Sequence, residues 1–204
     1  MCKSVVIVDD EAITRLDIKE RLELAGYKVT GEAADGFDAI EICRKQRPDM
    51  VILDVKMPML DGLSAARVIK EEGLSHCVIM LTAYSDSDFV EKAGELGVMG
   101  YLVKPVTDKA LVPTIEVALK RSEEIQQLQK ENEEKDRQLK DRMFIDRAKG
   151  IVMSTRNMSE DEAYKYMRGI SMDKRKSMRV VAEMIIMSHQ SMSAAQKEQK
   201  ARKK

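Results

Sequence analysis

The sequence predicts an α/β fold, a doubly wound five-stranded parallel sheet, followed by a long helical linker and a small three-helix bundle. Three observations carry that expectation. Short β-branched runs alternate with segments of helical spacing from Ser4 to Arg121, a charged stretch almost free of Gly and Pro follows, and three apolar stripes of helical period come after it.

The strand runs, in order, are SVVIV (Ser4–Val8), KVTGE (Lys28–Glu32), MVILD (Met50–Asp54), VIMLT (Val78–Thr82) and GYLVK (Gly100–Lys104). Four are nearly continuous in apolar residues, as strands covered on both faces must be. Between them Ile13, Leu16, Ile18, Leu22 and Leu24 trace one helix, Ala39, Ile42 and Cys43 a second, and Leu63, Ala66 and Ile69 a third. Asp61 and Gly62 read as a turn and helix start without chemistry, and His76 and Cys77 as structural residues at a strand entrance.

After Val106 the pattern is helical without a break, with Pro113 in the opening turns, where it is either tolerated or kinks the start. Ile125, Leu128, Asn132 and Leu139 fall at heptad positions a, d, a and a, with Lys135 at the intervening d. This is a weak coiled-coil seam for dimerisation, whose polar residue would set register; a single exposed spacer helix fits the same text. Phe144, Ala148, Ile151, Val152 and Thr155 then share a face. Ser159, three residues before Glu162, forms a capping box that opens a second helix with Ala163, Tyr164, Met167 and Ile170 inward. Met178, Val181, Ala182 and Ile185 line a third. The expected domains are 1–121, a linker over 122–138, a bundle over 139–190 and a basic tail over 191–204, poor in apolar residues and expected to be disordered.

The 35 Lys+Arg and 35 Asp+Glu of the 204 residues cancel only in total. Through Arg121 there are 16 basic and 21 acidic residues, and from Ser122 onward 19 and 14. Between Arg147 and Lys204 the count is 14 to 6, the footprint of a unit that meets phosphates or of a solvated surface with a basic tail. Cys2, Cys43 and Cys77 form no CxxC pair and are odd in number, which argues against a disulfide framework or a zinc site. No apolar run is long enough for a membrane span and the start resembles no signal peptide, so a cytoplasmic protein without a membrane partner is expected. An enzymatic output is disfavoured, because no cysteine lies beyond Arg121 and His189 has no base partner in the text.

Chemistry concentrates at the ends of the strand runs. Asp9 and Asp10 follow the first and Asp54 ends the third, and in an open parallel sheet ligands gather beyond the carboxyl ends of the strands where strand order reverses. Three converging carboxylates repel one another unless a hard divalent cation sits among them, and a few oxygen ligands suit Mg2+. Such a cation also lets a carboxylate attack phosphorus by neutralising the phosphoryl oxygens. Lys104 would supply a fixed second cation, and Thr82 a hydroxyl toward a phosphoryl oxygen.

Together IVDDE (Ile7–Glu11), LDVKMPMLDG (Leu53–Gly62), LTA (Leu81–Ala83) and LVKPV (Leu102–Val106) closely resemble the receiver domains of two-component response regulators, over about Cys2 to Arg121. The resemblance implies a flavodoxin-like fold in which Asp54 accepts a phosphoryl group from a sensor histidine kinase. It places Mg2+ among Asp9, Asp10, Asp54 and the backbone carbonyl of Lys56, makes Thr82 and Tyr101 the switch pair, and marks Lys104–Pro105 as a cis peptide. On the residues alone, Tyr101 is either a mover or simply a sheet residue.

In the basic unit Lys149, Met153 and Arg156 share a face at i, i+4 and i+7, with Arg168, Arg175, Lys176 and Arg179 further on. DRAKGIVM (Asp146–Met153), SEDEAYKYMRGISM (Ser159–Met172) and SMRVVAE (Ser177–Glu183) resemble the ANTAR output domain of antitermination regulators, over about Leu139 to Ser188. Within that family the chain is most similar to the antiterminators of ethanolamine utilisation. The implied ligand is a small hairpin in a nascent mRNA leader, whose capture keeps a terminator from forming. Hairpin loops call for clustered cations and flat surfaces, which Lys149, Arg156, Arg168, Arg175, Lys176 and Arg179 would supply with Tyr166 as the stacking ring. Tyr164 is expected in the core, Met153 exposed in contact with RNA, Glu160 and Asp161 as solvated acids, and Gly150 either at a close backbone approach or at a helix contact. Phosphorylation would dimerise the chain through the linker seam. A duplex-DNA regulator and a phosphorylation-dependent protein-binding module are the rival readings.

Overall fold

The computed structural model describes residues 2–83 and 96–201, with residues 192–201 by backbone only. It divides into two compact units, Met1–Leu128 and Gln129–Lys204. In the first, β1 (Ser4–Val8), α1 (Ala12–Leu24), β2 (Lys28–Ala33), α2 (Gly36–Gln46), β3 (Met50–Asp54), α3 (Gly62–Glu71), β4 (Cys77–Thr82) and β5 (Gly100–Val103) are followed by the start of α4 (Asp108–Arg156). All sheet pairings are parallel and the strand order is β2-β1-β3-β4-β5. Order therefore reverses between β1 and β3, which opens a crevice beyond their carboxyl ends.

The strands read as unbroken apolar runs because both faces are covered. Val6, Val8, Val51, Leu53, Val78 and Met80 pack on one side with α2 and α3. Val5, Ile7, Met50, Ile52, Ile79 and Leu81 pack on the other with α1 and the first turns of α4. Alternate residues of each strand thus enter opposite cores, the two-residue period of a pleated strand. Full burial of each such side chain contributes about 1.5–3 kcal/mol, so the layers fix β1 and β3, and with them the crevice. The α1 stripe is narrower than expected: Ile18 and Leu22 are buried, whereas Ile13, Leu16 and Leu24 are exposed. Ile18 and Leu22, one turn apart, are the α1 positions that join this core.

The second unit holds the rest of α4, then α5 (Glu160–Lys174) and α6 (Met178–Ala201). Its core is Ala148, Val152, Ala163, Met167, Val181, Ala182 and Ile186, with Phe144, Ile151, Ile170 and Ile185 packed around it. Thr155, expected on this stripe, is exposed. The expected capping box opens α5: Glu162 N–H donates to Ser159 Oγ at 3.4 Å, and Ser159 N–H donates to Glu162 Oε2 at 2.8 Å. Helix α4 runs through Pro113 without ending. Helix α6 continues to Ala201, so 191–201, expected to be disordered, is helical backbone; 202–204 lie outside the described residues. Tyr164, expected in the core, is 46% exposed, and Tyr166 is instead the half-buried ring against the core. The α5 stripe follows Ala163, Met167 and Ile170, which places Tyr166 beside it and Tyr164 off it.

Candidate functional site

The crevice collects the expected acidic residues. Asp9 and Asp10 follow β1, Asp54 is the last residue of β3, and one carboxylate oxygen from each lies within 4.8 Å of the others. Asp9 and Asp54 are buried and Asp10 is exposed. Lys104, just past β5, sets its Nζ 2.6 Å from Asp54 Oδ2 and 2.7 Å from Asp9 Oδ2. Burial alone would push the Lys104 ammonium toward the neutral form, but its hydrogen bond to Asp54 and the charges of Asp54 and Asp9 outweigh it and raise its pKa. Burial dominates at Asp9 and holds its carboxyl above the usual range, against the lowering effect of Lys104 and of the Glu11 amide.

Neighbouring elements hold these groups in place. Glu11 N–H donates to Asp9 Oδ1 at 2.9 Å, and Arg15 Nη1 on α1 donates to the Asp9 carbonyl at 2.6 Å. Lys56 N–H reaches Asp54 Oδ1 at 3.4 Å. Lys104 N–H donates to the Thr82 carbonyl at 2.8 Å, which ties the end of β5 to β4, and Lys104–Pro105 is cis as expected. Thr82 ends β4 partly buried, and Tyr101 stands on β5, 54% exposed.

Two further residues, Arg15 and Gly62, belong to this site although the sequence reading gave neither a part in it. A Cβ on Gly62 would lie 1.9 Å from the Asp54 carbonyl oxygen, so only glycine lets α3 begin there, while Gly62 N–H donates to Val55 O at 3.0 Å. Arg15 is visible in sequence only as a helical cation; its contact is to a backbone carbonyl, which no side-chain pattern announces.

The crevice fits a hard divalent cation. Its donors are all oxygens, Lys104 pairs with Asp9 and Asp54 of the three carboxylates, and buried Asp9 Oδ2 receives no aligned hydrogen bond even though the Lys104 ammonium is close.

On the helical unit the expected cations are not equivalent. Lys149, expected to face outward, has a side chain only 18% exposed, with its Nζ 2.6 Å from Glu160 and 3.1 Å from Asp146. Glu160 is thus an ion-pair partner rather than a merely solvated acid. Arg179 lies over the Phe144 ring at 3.3 Å and pairs with Glu183 and Asp141. Arg156 stacks on Tyr166, 4.3 Å from the ring centroid, so one face of that ring is already covered. Arg168, Arg175 and Lys176 are exposed and pair with no carboxylate among the described residues. Met153 is half-buried against the bundle core rather than exposed, and a Cβ on Gly150 would meet nothing, which leaves room for a close approach. On the linker, Ile125 is half-buried, Asn132 is exposed, and Leu128 and Leu139 are 65% and 61% exposed.

A doubly wound sheet with three carboxylates and a lysine at its switch point defines a phosphoryl-handling signalling module, here followed by a helical output unit. Comparison with known proteins agrees: residues 5–116 match the response regulator receiver domain, and residues 133–186 the ANTAR domain. The transcriptional regulatory protein PdtaR of Mycobacterium tuberculosis is 40% identical over 184 residues, 90% of this chain and 89% of that protein. The receiver of AraT from Geobacillus stearothermophilus superposes with a TM-score of 0.53 at 33% identity, covering 63% of this chain and 99% of that one. CheY in the CheX-CheY-BeF3-Mg2+ complex of Borrelia burgdorferi does so with 0.53 at 25% identity, over 55% and 86%. The chain belongs to the response regulators, as a receiver domain joined to an ANTAR output domain. This family regulates transcription and is not enzymatic, apart from the receiver's handling of its own phosphoryl group. A receiver implies a kinase as phosphodonor, and an ANTAR domain implies RNA as ligand. No helix among the described residues is long and apolar enough to cross a membrane.

Proposed function

We propose that this chain is a phosphorylation-activated antiterminator, in which a phosphoryl group on Asp54 drives dimerisation and thereby capture of hairpins in nascent mRNA leaders. The observation that carries the reading is the convergence of Asp9, Asp10, Asp54 and Lys104 in one crevice of a chain whose other unit is an ANTAR domain.

Asp54 is the phosphoacceptor. Its carboxylate oxygen attacks the phosphorus of a phosphohistidine on a sensor kinase, the P–N bond breaks, and the imidazole leaves. Lys104, held cationic by its two carboxylates, meets the charge of the incoming phosphoryl oxygens. Asp9, Asp10, Asp54 and the Lys56 carbonyl would hold Mg2+, as the Mg2+-bearing CheY complex supports. Bound there, the ion neutralises charge on the transferring group. Thr82 and Tyr101 form the switch: the hydroxyl turns toward the new phosphoryl group, and the exposed ring of Tyr101 moves inward behind it. The altered surface at β4 and β5 favours pairing of two chains, and the exposed Leu128 of the 122–138 linker and Leu139 just beyond it gain a partner. Two ANTAR bundles, each over 139–190, then meet two hairpins at high effective concentration.

Arg156, Arg168, Arg175 and Lys176 are the first phosphate contacts, and Lys149 and Arg179 join only by leaving their carboxylates. The deciding experiment measures affinity for one hairpin and for a two-hairpin leader RNA, with and without a small phosphodonor and Mg2+, in wild type and Asp54→Ala. Phosphodonor should raise two-hairpin affinity by about a hundredfold in wild type only, the lower end of avidity gains. Equal binding by both proteins in all conditions would refute the switch, and preference for duplex DNA would refute the ligand. Crosslinking and sequencing of bound transcripts reads whether ethanolamine-utilisation leaders are the targets.

A further inference from the structure

A groove of the ANTAR unit lies among α4, α5 and α6 and has a volume of about 690 Å³. That is within the roughly 300–1,000 Å³ of pockets that enclose a small ligand. Its walls are aliphatic, from Ile151, Val152, Ile170, Val181 and Ile185, and its polar groups include the Arg156 guanidinium, Tyr166 and His189 beside the Thr155 and Ser188 hydroxyls. Among the described residues no carboxylate lines it. A second cleft on the same unit, beside Lys149 and Tyr164, contrasts with it, because Asp141 and Asp146 line that one and Lys149 is neutralised there.

We infer that the Arg156–Tyr166–His189 groove is a subsite for one unstacked nucleobase of the RNA loop. The inference rests on the RNA reading above and adds a place and a chemistry to it. A base flipped from a loop is a flat apolar face attached to an anionic backbone, and it needs an apolar slot with a cation at the mouth and no acid beside it. This groove meets all three conditions. The Arg156 guanidinium already sits over the Tyr166 ring, 4.3 Å from its centroid, so a base that stacks against it meets a cation ordered in advance. Tyr166 then acts as the support of the stacking plane rather than as the plane itself. A peptide partner or a second copy of the chain would gain from the aliphatic walls but not from the acid-free cationic rim.

The test uses the full chain with phosphodonor and Mg2+, and a leader stem-loop RNA in which each loop nucleotide in turn is made abasic. Two variants accompany wild type: Arg156→Gln, and Ser188→Trp, which puts a bulky ring at the mouth from an exposed position on α6. Helical circular dichroism and the melting midpoint check that both remain folded. One abasic position should cost wild type about tenfold in affinity, the scale of a single lost base stack, and cost Ser188→Trp nothing further. If every abasic position weakens wild type and Ser188→Trp equally, the groove holds no base and the inference is overturned while the RNA reading stands. If Ser188→Trp binds RNA normally but changes the oligomeric state, the groove seats a second copy and the inference is likewise overturned. If wild type binds no stem-loop at all, the RNA reading itself falls.

Discussion

Asp9 shows how one residue trades stability for a charged site. Its buried carboxyl prefers the protonated form more than an unfolded chain's would, so ionisation costs the fold free energy. The sign follows: stability falls as pH rises from the unfolded value of 3.8 through the raised folded value, and the cost persists at neutral pH. Lys104 has the opposite linkage; its stabilisation is complete below 10.5 and is lost only as pH rises through a folded value above that. Asp9→Asn should therefore stabilise the metal-free chain at pH 7 by about 0.5–2 kcal/mol, as relief of a functional cost commonly does. Millimolar Mg2+ should raise the melting midpoint of wild type and do far less for the variant. A variant less stable than wild type without metal would contradict this account. Gly62 makes the complementary point, that a position with no side chain can govern one that has chemistry. A methyl there collides with the Asp54 carbonyl, so Gly62→Ala should cost at least about 1–3 kcal/mol in denaturant unfolding. It should also slow labelling of Asp54 by a small phosphodonor; unchanged labelling would leave Gly62 a packing residue only.

At the scale of elements, legibility in the sequence followed how much local pattern an element needs. The strands were readable because burial on both faces leaves unbroken apolar runs, and the α5 start because Ser159 and Glu162 are a purely local device. Asp9, Asp10, Asp54 and Lys104 could be brought together from sequence because each lies at or just past the end of a strand, whereas Arg15 on α1 and Gly62 at the start of α3 carry no such mark. What could not be read was partner choice. Ile13 and Leu24 look like core on a helical wheel but face solvent, and Lys149 looks free but is held by Glu160, eleven residues away on another helix. Tyr164 and Tyr166 were exchanged because both lie near the edge of the stripe, where a small rotation decides burial. The seam on α4 is the remaining element-scale question. Leu128 and Leu139 are exposed in the single chain, which suits either a spacer or a seam awaiting its partner. Replacing both with Lys removes the exposed apolar positions of the seam without touching a buried residue. Sedimentation should show a dimer of phosphodonor-treated wild type and a monomer of Leu128→Lys/Leu139→Lys, with single-hairpin affinity unchanged. A variant that still dimerises would move the interface off the linker.

For the whole molecule, formal neutrality conceals an acidic receiver and a basic output unit, so bulk charge says little about what binds where. The structure narrows the electrostatics further, because the cations of the output unit divide into those already paired and those open to a ligand. Of the cations expected to meet RNA, Lys149 and Arg179 belong to the first group, and Arg156, Arg168, Arg175 and Lys176 to the second. Each phosphate contact releases counterions and adds about 0.7–0.9 to the slope of log affinity against log salt. Four open cations then give a slope of about −3 for one hairpin, whereas recruitment of Lys149 and Arg179 would steepen it to about −5. The measurement is a salt titration of single-hairpin binding, repeated with Glu160→Gln, which removes the main partner of Lys149. Wild type should lie near the shallower value, and the variant should bind more tightly with a steeper slope, because Lys149 no longer has to leave a carboxylate to reach a phosphate. A wild-type slope near zero would show that phosphates are not what the basic unit grips, and a slope unmoved by Glu160→Gln would show that Lys149 stays with its acids when RNA is bound.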